Sequence, residues 1–164
     1  MRMRIEALAG KTALTSDPAA FVAEAIAGKT AVASNSRYLI ECGVTTVPGV
    51  RSGIVEREEL RRLCATVDVG ITSADYALAD TGTLVMLASP QEARLISLLP
   101  PAHIAVVPRD RILTSLDELF TVLPQPAAAS SSMVLITGPS RTADIEQILV
   151  RGVHGPGQIT VVIV

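Results

Sequence analysis

The chain has 164 residues, of which 49% are hydrophobic and 18% charged, and its formal net charge is −2. This length suits a single domain with one main core. The sequence has two Phe, two Tyr, no Trp and no long run of Lys or Arg. It therefore lacks the basic stripe and the stacking side chains of a nucleic-acid-binding protein, and its core is expected to consist of Val, Ile, Leu and Ala.

Cysteine usage and the chain's start predict a cytoplasmic protein. Cys42 and Cys64 are the only cysteines and form no Cys-x-x-Cys pair, which argues against a disulfide framework. A protein-held iron–sulfur cluster usually needs four Cys ligands, so we expect none on this chain alone, and no histidine spacing supports a metal site. The basic start precedes no signal-peptide core, and no run reaches the roughly 18 apolar residues of a membrane span.

The first third of the chain predicts two helices and little else. A helix is expected at residues 17–27, with a cap, a first-turn proline and a terminating glycine at Asp17, Pro18 and Gly28. Residues 34–37 form a polar segment with no clear period, and residues 41–54 resemble a loop with one short strand. A charged helix is expected at residues 56–65, with Cys64 on its inward face.

From residue 66 onward the sequence predicts alternating strands and helices. The strands are expected at residues 67–72, 83–88, 103–107, 133–137 and 159–164, and the helices at residues 73–79, 91–99, 115–123 and 142–150. A Pro/Ala/Ser-rich linker at residues 124–132 is expected to be flexible and exposed. This alternation predicts an α/β fold with an open, mostly parallel sheet flanked by helices, whose ligand crevice lies outside the carboxyl ends of the strands.

One loop has the composition of an anion site. Gly138, Pro139, Ser140, Arg141 and Thr142 follow a predicted strand and open a predicted helix. Backbone N–H groups at a helix N-terminus and an Arg side chain both favour a carboxylate or phosphate. An equally weighted alternative is a capped helix in which Asp144 complements the helix dipole and Arg141 pairs with a nearby acid.

Two further groups of polar residues are candidates for ligand binding. Asp80, Thr81, Gly82 and Thr83 precede a strand, where Asp80 could act as a general base; the simpler interpretation is an ordinary turn. His103 and His154 are the only histidines, and a structural hydrogen bond is the simpler interpretation for each. His154 and Gly155 lie in a glycine-rich loop that would let a ligand approach the backbone.

Four segments containing these residues together resemble a known family. Residues 70–85, 97–107, 136–146 and 152–156 resemble, in content, order and spacing, the lactate-utilisation protein C (LutC/YkgG) or LUD-domain family. The resemblance is strong over residues 66–164 and loose over residues 1–65. It implies one LUD-like domain over residues 1–164, with a divergent N-terminal part and a core that carries the motifs.

The resemblance also implies a fold and a role. The fold would be similar to that of the sugar-phosphate isomerase and CoA-transferase superfamily. The role would be that of a subunit in a bacterial system that oxidises L-lactate to pyruvate, with iron–sulfur clusters on partner oxidoreductase subunits. The acid before Thr-Gly-Thr, typically Glu in the family, is Asp80 here, and no catalytic residue carries over.

Three hypotheses follow for the function. In the first, the chain is a subunit of a lactate-oxidising complex and binds lactate, pyruvate or a bound redox cofactor through Arg141 and the loop around it, while Asp80 or His154 contacts the hydroxyl. In the second, it is a stand-alone enzyme of the isomerase, CoA-transferase or folate cyclo-ligase type, acting on a phosphate or acyl substrate. In the third, it is a non-catalytic scaffold subunit. A homo-oligomer is compatible with each of these three hypotheses.

Overall fold

The structure is a computed structural model that describes residues 4, 6, 10–91, 93–143, 149–151 and 155–164. Its strands are β1 (Lys11–Leu14), β2 (Ala31–Ala33), β3 (Val50–Arg51), β4 (Val69–Ser73), β5 (Tyr76–Leu78), β6 (Thr83–Leu87), β7 (Ala102–Val107), β8 (Ile112–Leu113), β9 (Met133–Ile136), β10 (Arg141–Ala143), β11 (Leu149–Arg151) and β12 (Gln158–Ile163). Its helices are α1 (Pro18–Ala25), α2 (Arg37–Glu41), α3 (Arg57–Cys64), α4 (Arg94–Leu98), α5 (Leu116–Val122) and α6 (Pro126–Ala129). Short 3-10 turns lie at Val44–Thr46 and Arg109–Arg111.

The centre of the molecule is a six-stranded sheet in the order β3-β2-β4-β7-β12-β1, with every neighbouring pair parallel. From β2 the chain first goes outward to β3 and then crosses back to β4 on the other side of β2. The strand order therefore reverses between β2 and β4. The predicted open, mostly parallel α/β sheet is confirmed, and this reversal is the point where such sheets bind ligands.

The two faces of the sheet are covered differently. One face packs against α1 and α2 through a core that includes Val22, Leu39 and Ile71. The other face packs against a second sheet of four strands, in the order β8-β5-β6-β9, through Ala77, Leu84 and their neighbours. α3 and α4 cover the rest of that face. The second layer is thus largely a sheet, where the sequence predicted helices.

Two predicted helices are wrong. Residues 73–79 contain β5, which pairs antiparallel with β6. Residues 142–150 begin and end in β10 and β11, which pair antiparallel with Thr142 opposite Val150. This register excludes a continuous helix from Thr142 to Val150, so the loop at residues 138–142 does not open the predicted helix.

The predicted helices at residues 17–27, 56–65 and 115–123 are confirmed, and their N-terminal caps explain why. The Asp17 carboxylate accepts a hydrogen bond from the Ala20 N–H at 2.9 Å, and Gly28 follows the helix with a φ of +72°. Ser115 caps α5, while the Glu118 carboxylate accepts from the Thr114 N–H. The Ser115 bond is the first half of a capping box, while Glu118 accepts from the residue before the cap instead of from the cap residue itself. The predicted linker at residues 124–132 contains α6, and Ser130 ties it to the Ala88 carbonyl at 2.7 Å.

Candidate functional site

A crevice of about 270 Å³ opens at the carboxyl ends of β2, β4 and β7. It therefore lies at the reversal of strand order. The chain leaves β2 and β4 in opposite directions here, so the two connections diverge and leave a gap between them. Its lining is mostly polar or amphipathic and comprises Ser36, Arg37, Tyr38, Ser73, Ala74, Asp75, Tyr76, Leu87, Pro108 and Arg111.

Two serine hydroxyls meet at the floor of this crevice. Ser36 follows β2, Ser73 ends β4, and their Oγ atoms lie 2.7 Å apart. The loop that carries Ser36 is fixed by Asn35, whose side chain accepts from the Gly53 N–H and donates to the Ile54 carbonyl. A ligand can exchange hydrogen bonds with such a pair, because a hydroxyl both donates and accepts.

Asp75 and Arg111 give the crevice opposite charges. The Asp75 carboxylate accepts a hydrogen bond from the Leu87 N–H at 2.7 Å. Burial raises the pKa of Asp75 above its usual range, against the lowering effects of this bond and of Arg111. The Arg111 guanidinium lies over the Tyr76 ring, 5.6 Å from its centroid, and forms no ion pair within the part of the chain that the structure describes.

Two other lining residues have their polar groups engaged. Arg37 pairs with Glu41 at 2.7 Å along the solvent-exposed side of α2. Burial, with contributions from Cys42 and Asp110, raises the pKa of Tyr38 to about 12, so its phenol stays neutral at physiological pH. Arg111 is thus the lining cation whose charge remains available to an anion.

The residues Asp80, Thr81, Gly82 and Thr83 form the turn between β5 and β6, away from this crevice. Gly82 adopts a φ of +71°, as a tight turn requires. The Asp80 carboxylate is exposed and accepts from the Thr81 N–H. The Thr83 hydroxyl lies 2.7 Å from that of Thr137, so the turn contacts the end of β9.

The loop that contains Gly138, Pro139 and Ser140 lies at the opposite end of the central sheet. The Ser140 N–H donates to the Pro156 carbonyl at 2.9 Å, just before β12 begins, and a Cβ on Gly155 would lie 3.5 Å from Ser140 Cβ. Arg141 and Thr142 belong to β10. The predicted contributions of Asp144 and His154 lie outside the described residues.

His103 is buried in β7, with 1% of its surface exposed. Its Nε2 lies 2.9 Å from Thr72 Oγ1, while its Nδ1 has no hydrogen-bond partner among the residues that the structure describes. Burial lowers the pKa of His103 to about 4, so the imidazole is neutral at physiological pH. The predicted structural hydrogen bond of this histidine is present.

The sequence predicted a crevice at the carboxyl ends of the strands, and the structure has one there, but the candidate residues named from the sequence do not line it. The polar segment at residues 34–37 showed no period, and Asp75 falls within residues 73–79, which were predicted to form a helix. The available signal was the short apolar run Ala31-Val32-Ala33 directly before a polar segment. A strand of only three residues shows too little alternation to be recognised.

The described residues contain no group of three or more His, Cys, Asp or Glu side chains arranged to hold a metal ion. None of the helices within those ranges is long and apolar enough to cross a membrane.

The fold is that of an open α/β protein, a class in which ligands bind where the strand order reverses. A model of the LUD domain matches residues 38–164. A DUF162 family protein from Deinococcus radiodurans has the same fold, with a TM-score of 0.74 at 18% identity; the match covers 98% of this chain and 92% of that protein.

Relatives with the name lactate utilization protein C occur in several bacteria. The protein from Exiguobacterium is 40% identical over 65% of this chain and 48% of its own length. That from Halalkalibacterium halodurans is 41% identical over 62% and 46%, and that from Bacillus subtilis 38% identical over 65% and 46%. The chain thus spans about half the length of these relatives. It belongs to the LUD domain family, as its motifs predicted.

Proposed function

We propose that this chain acts in bacterial lactate utilisation by binding a small 2-hydroxy or 2-oxo carboxylate, such as lactate or pyruvate, in the crevice between β2 and β4. The observation that carries the proposal is that Arg111, which forms no ion pair among the described residues, lines the same small crevice as Asp75, whose pKa is raised by burial. The names of the relatives support the choice of ligand.

Each polar group has a role in this proposal. The Arg111 guanidinium binds the ligand carboxylate, because its planar fork of donors matches two carboxylate oxygens. The hydroxyls of Ser36 and Ser73 hydrogen-bond the 2-oxygen. Burial raises the pKa of Asp75, so this carboxyl group takes up a proton more readily than an exposed one and can then donate a hydrogen bond to the anion.

This assignment differs from the one that the sequence suggested. There, Arg141 was to bind the carboxylate, and Asp80 or His154 the hydroxyl. Asp80 lies in an exposed turn, where its carboxylate accepts a hydrogen bond from the N–H of the next residue, Thr81. The crevice offers Arg111 and Asp75 for the same two tasks.

Oxidation of lactate to pyruvate removes two electrons, which need an acceptor. We propose that iron–sulfur oxidoreductase partners accept them and that this chain supplies the binding site. The chain's cysteine content supports this division. Burial raises the pKa of the Cys64 thiol to about 11, which disfavours the thiolate that ligates iron, and only Cys42 remains.

Calorimetric titration with lactate and with acetate tests the proposal. We expect lactate to bind more tightly, because acetate lacks the 2-oxygen. Arg111→Gln is expected to weaken lactate binding at least about tenfold, since a hydrogen bond to a charged group contributes about 1.5–3 kcal/mol. Arg109→Gln is the matched control, because Arg109 lies in the same 3-10 turn but does not line the crevice. Equal weakening by the two substitutions, or no heat with wild type, would refute the assignment.

A further inference from the structure

A second groove, of about 540 Å³, lies between α3 and α4, on a different part of the surface from the crevice. Its floor consists of half-buried apolar side chains that continue the core between these helices. The apolar lining residues are Leu60, Ala93, Leu95 and Leu98.

The rim of this groove is positively charged. Arg57, Arg61 and Arg94 line it, and among the described residues Glu58 is the acid that lines it with them. Arg57 and Arg61 are four residues apart and therefore lie on the same side of α3. Neither forms an ion pair within the described ranges of the chain, and Arg94 donates to the Ser132 hydroxyl at 3.2 Å.

The neighbouring acids of α3 are engaged elsewhere. The Glu56 carboxylate caps the helix by accepting from the N–H groups of Glu58 and Glu59. The Glu59 Oε1 atom lies 3.9 Å from Arg51 Nη2. The arginines of the rim therefore have no ion-pair partner among the described residues, on a chain whose net charge is −2.

We propose that this groove binds an acidic amphipathic helix of a partner protein. An apolar floor between two helices accepts leucine-like side chains spaced three and four residues apart. The arginines on the rim pair with carboxylates that flank them, which fixes the partner's orientation and speeds its association. This inference does not depend on the ligand of the crevice.

The test uses the whole chain and a labelled helical peptide of about 14 residues, since shorter helices are marginal in water. The peptide carries leucines spaced three and four residues apart and glutamates on both flanks. Fluorescence anisotropy measures its dissociation constant, and a second peptide has lysine in place of each glutamate. We expect the glutamate peptide to bind, to bind more weakly at high salt, and to bind more tightly than the lysine peptide.

Two charge reversals on the same helix separate the groove from general electrostatics. Arg61→Glu is expected to weaken binding of the glutamate peptide at least about fivefold, and Arg62→Glu, which does not line the groove, by less than about twofold. Circular dichroism verifies that both variants fold. Absence of binding, equal binding of the two peptides, or equal effects of the two reversals would overturn the proposal. Tighter binding to vesicles that contain anionic lipid, lost in Arg61→Glu, would also overturn it in favour of a membrane surface.

Discussion

His103 illustrates how a polar residue can look functional in a sequence and serve the core in the structure. It lies on the face of the sheet that packs against the second layer, and within the described ranges only its Nε2 has a hydrogen-bond partner, Thr72. Protonation would place a charge on a buried ring that has no ion-pair partner within those ranges. The native state therefore requires the neutral imidazole.

This requirement predicts acid sensitivity. The pKa of His103 falls from 6.5 to about 4 on folding, so the folded state loses stability as the pH falls from about 6.5 towards 4. The loss attributable to His103 is about 3 kcal/mol, from the free energy of 1.36 kcal/mol per pKa unit. His103→Gln keeps a bond to Thr72 but does not titrate. Urea unfolding at pH 7 and pH 4.5 is expected to show the smaller decline in the variant; equal declines would contradict this.

Asp75 is expected to change the stability of the folded state in the opposite sense, with a loss of stability as the pH rises. Burial raises its pKa in the folded state, so its contribution to stability is present below the unfolded pKa and is lost as the pH rises through the folded value. Asp75→Asn keeps an acceptor for the Leu87 N–H and removes the charge. Its unfolding free energy, relative to wild type, is expected to be higher at pH 7 than at pH 3.5. If the difference in unfolding free energy between the variant and wild type did not change with pH, burial would not raise the pKa of Asp75.

At the scale of elements, the contact between α4 and β4 depends on a residue with no side chain. Gly70 lies in β4, and a Cβ placed there would lie 1.9 Å from the Ile96 carbonyl oxygen. A backbone atom cannot move aside as a flexible side chain can. The helix therefore approaches the sheet closely because position 70 is glycine.

Gly70→Ala is accordingly expected to destabilise the protein by more than about 3 kcal/mol, at the upper end for overpacking of a core. The control is Gly28→Ala, where φ is +72° but no atom lies within 4 Å of the new Cβ; backbone strain there costs about 1–2 kcal/mol. Thermal unfolding of both variants measures the difference. A smaller loss for Gly70→Ala than for Gly28→Ala would contradict the close contact.

The elements that the sequence predicted correctly are those with local signals. Caps and amphipathic spacing define α1, α3 and α5, and apolar runs define the central strands. β5 had no such signal, because both of its faces are buried. Ala77 packs towards the central sheet, while Leu78 packs under α5 with Leu119. Without alternation, the spacing of Ala74, Ala77 and Leu78 resembled a helix.

At the scale of the whole molecule, the strand order determines where the crevice proposed to bind the ligand lies. The sequence predicted a parallel sheet with a crevice at the carboxyl ends of its strands, but it does not encode which strands are neighbours. Ser36 and Ser73 are 37 residues apart in sequence and meet only because β4 returns beside β2. By contrast, Ser140 lies close to Gly155 beside the start of β12, so the motif-bearing loop lies at the opposite end of the sheet.

The location of the ligand is the central claim, and amide chemical-shift mapping tests it most directly. Isotope-labelled protein is titrated with lactate, and the shifts of backbone amides are followed by NMR. We expect the largest changes at residues 34–38, 73–76 and 109–111, and their loss in Arg111→Gln but not in Arg109→Gln. Changes centred on residues 80–83 and 137–141, or none at saturating lactate, would contradict the assignment of the crevice as the binding site.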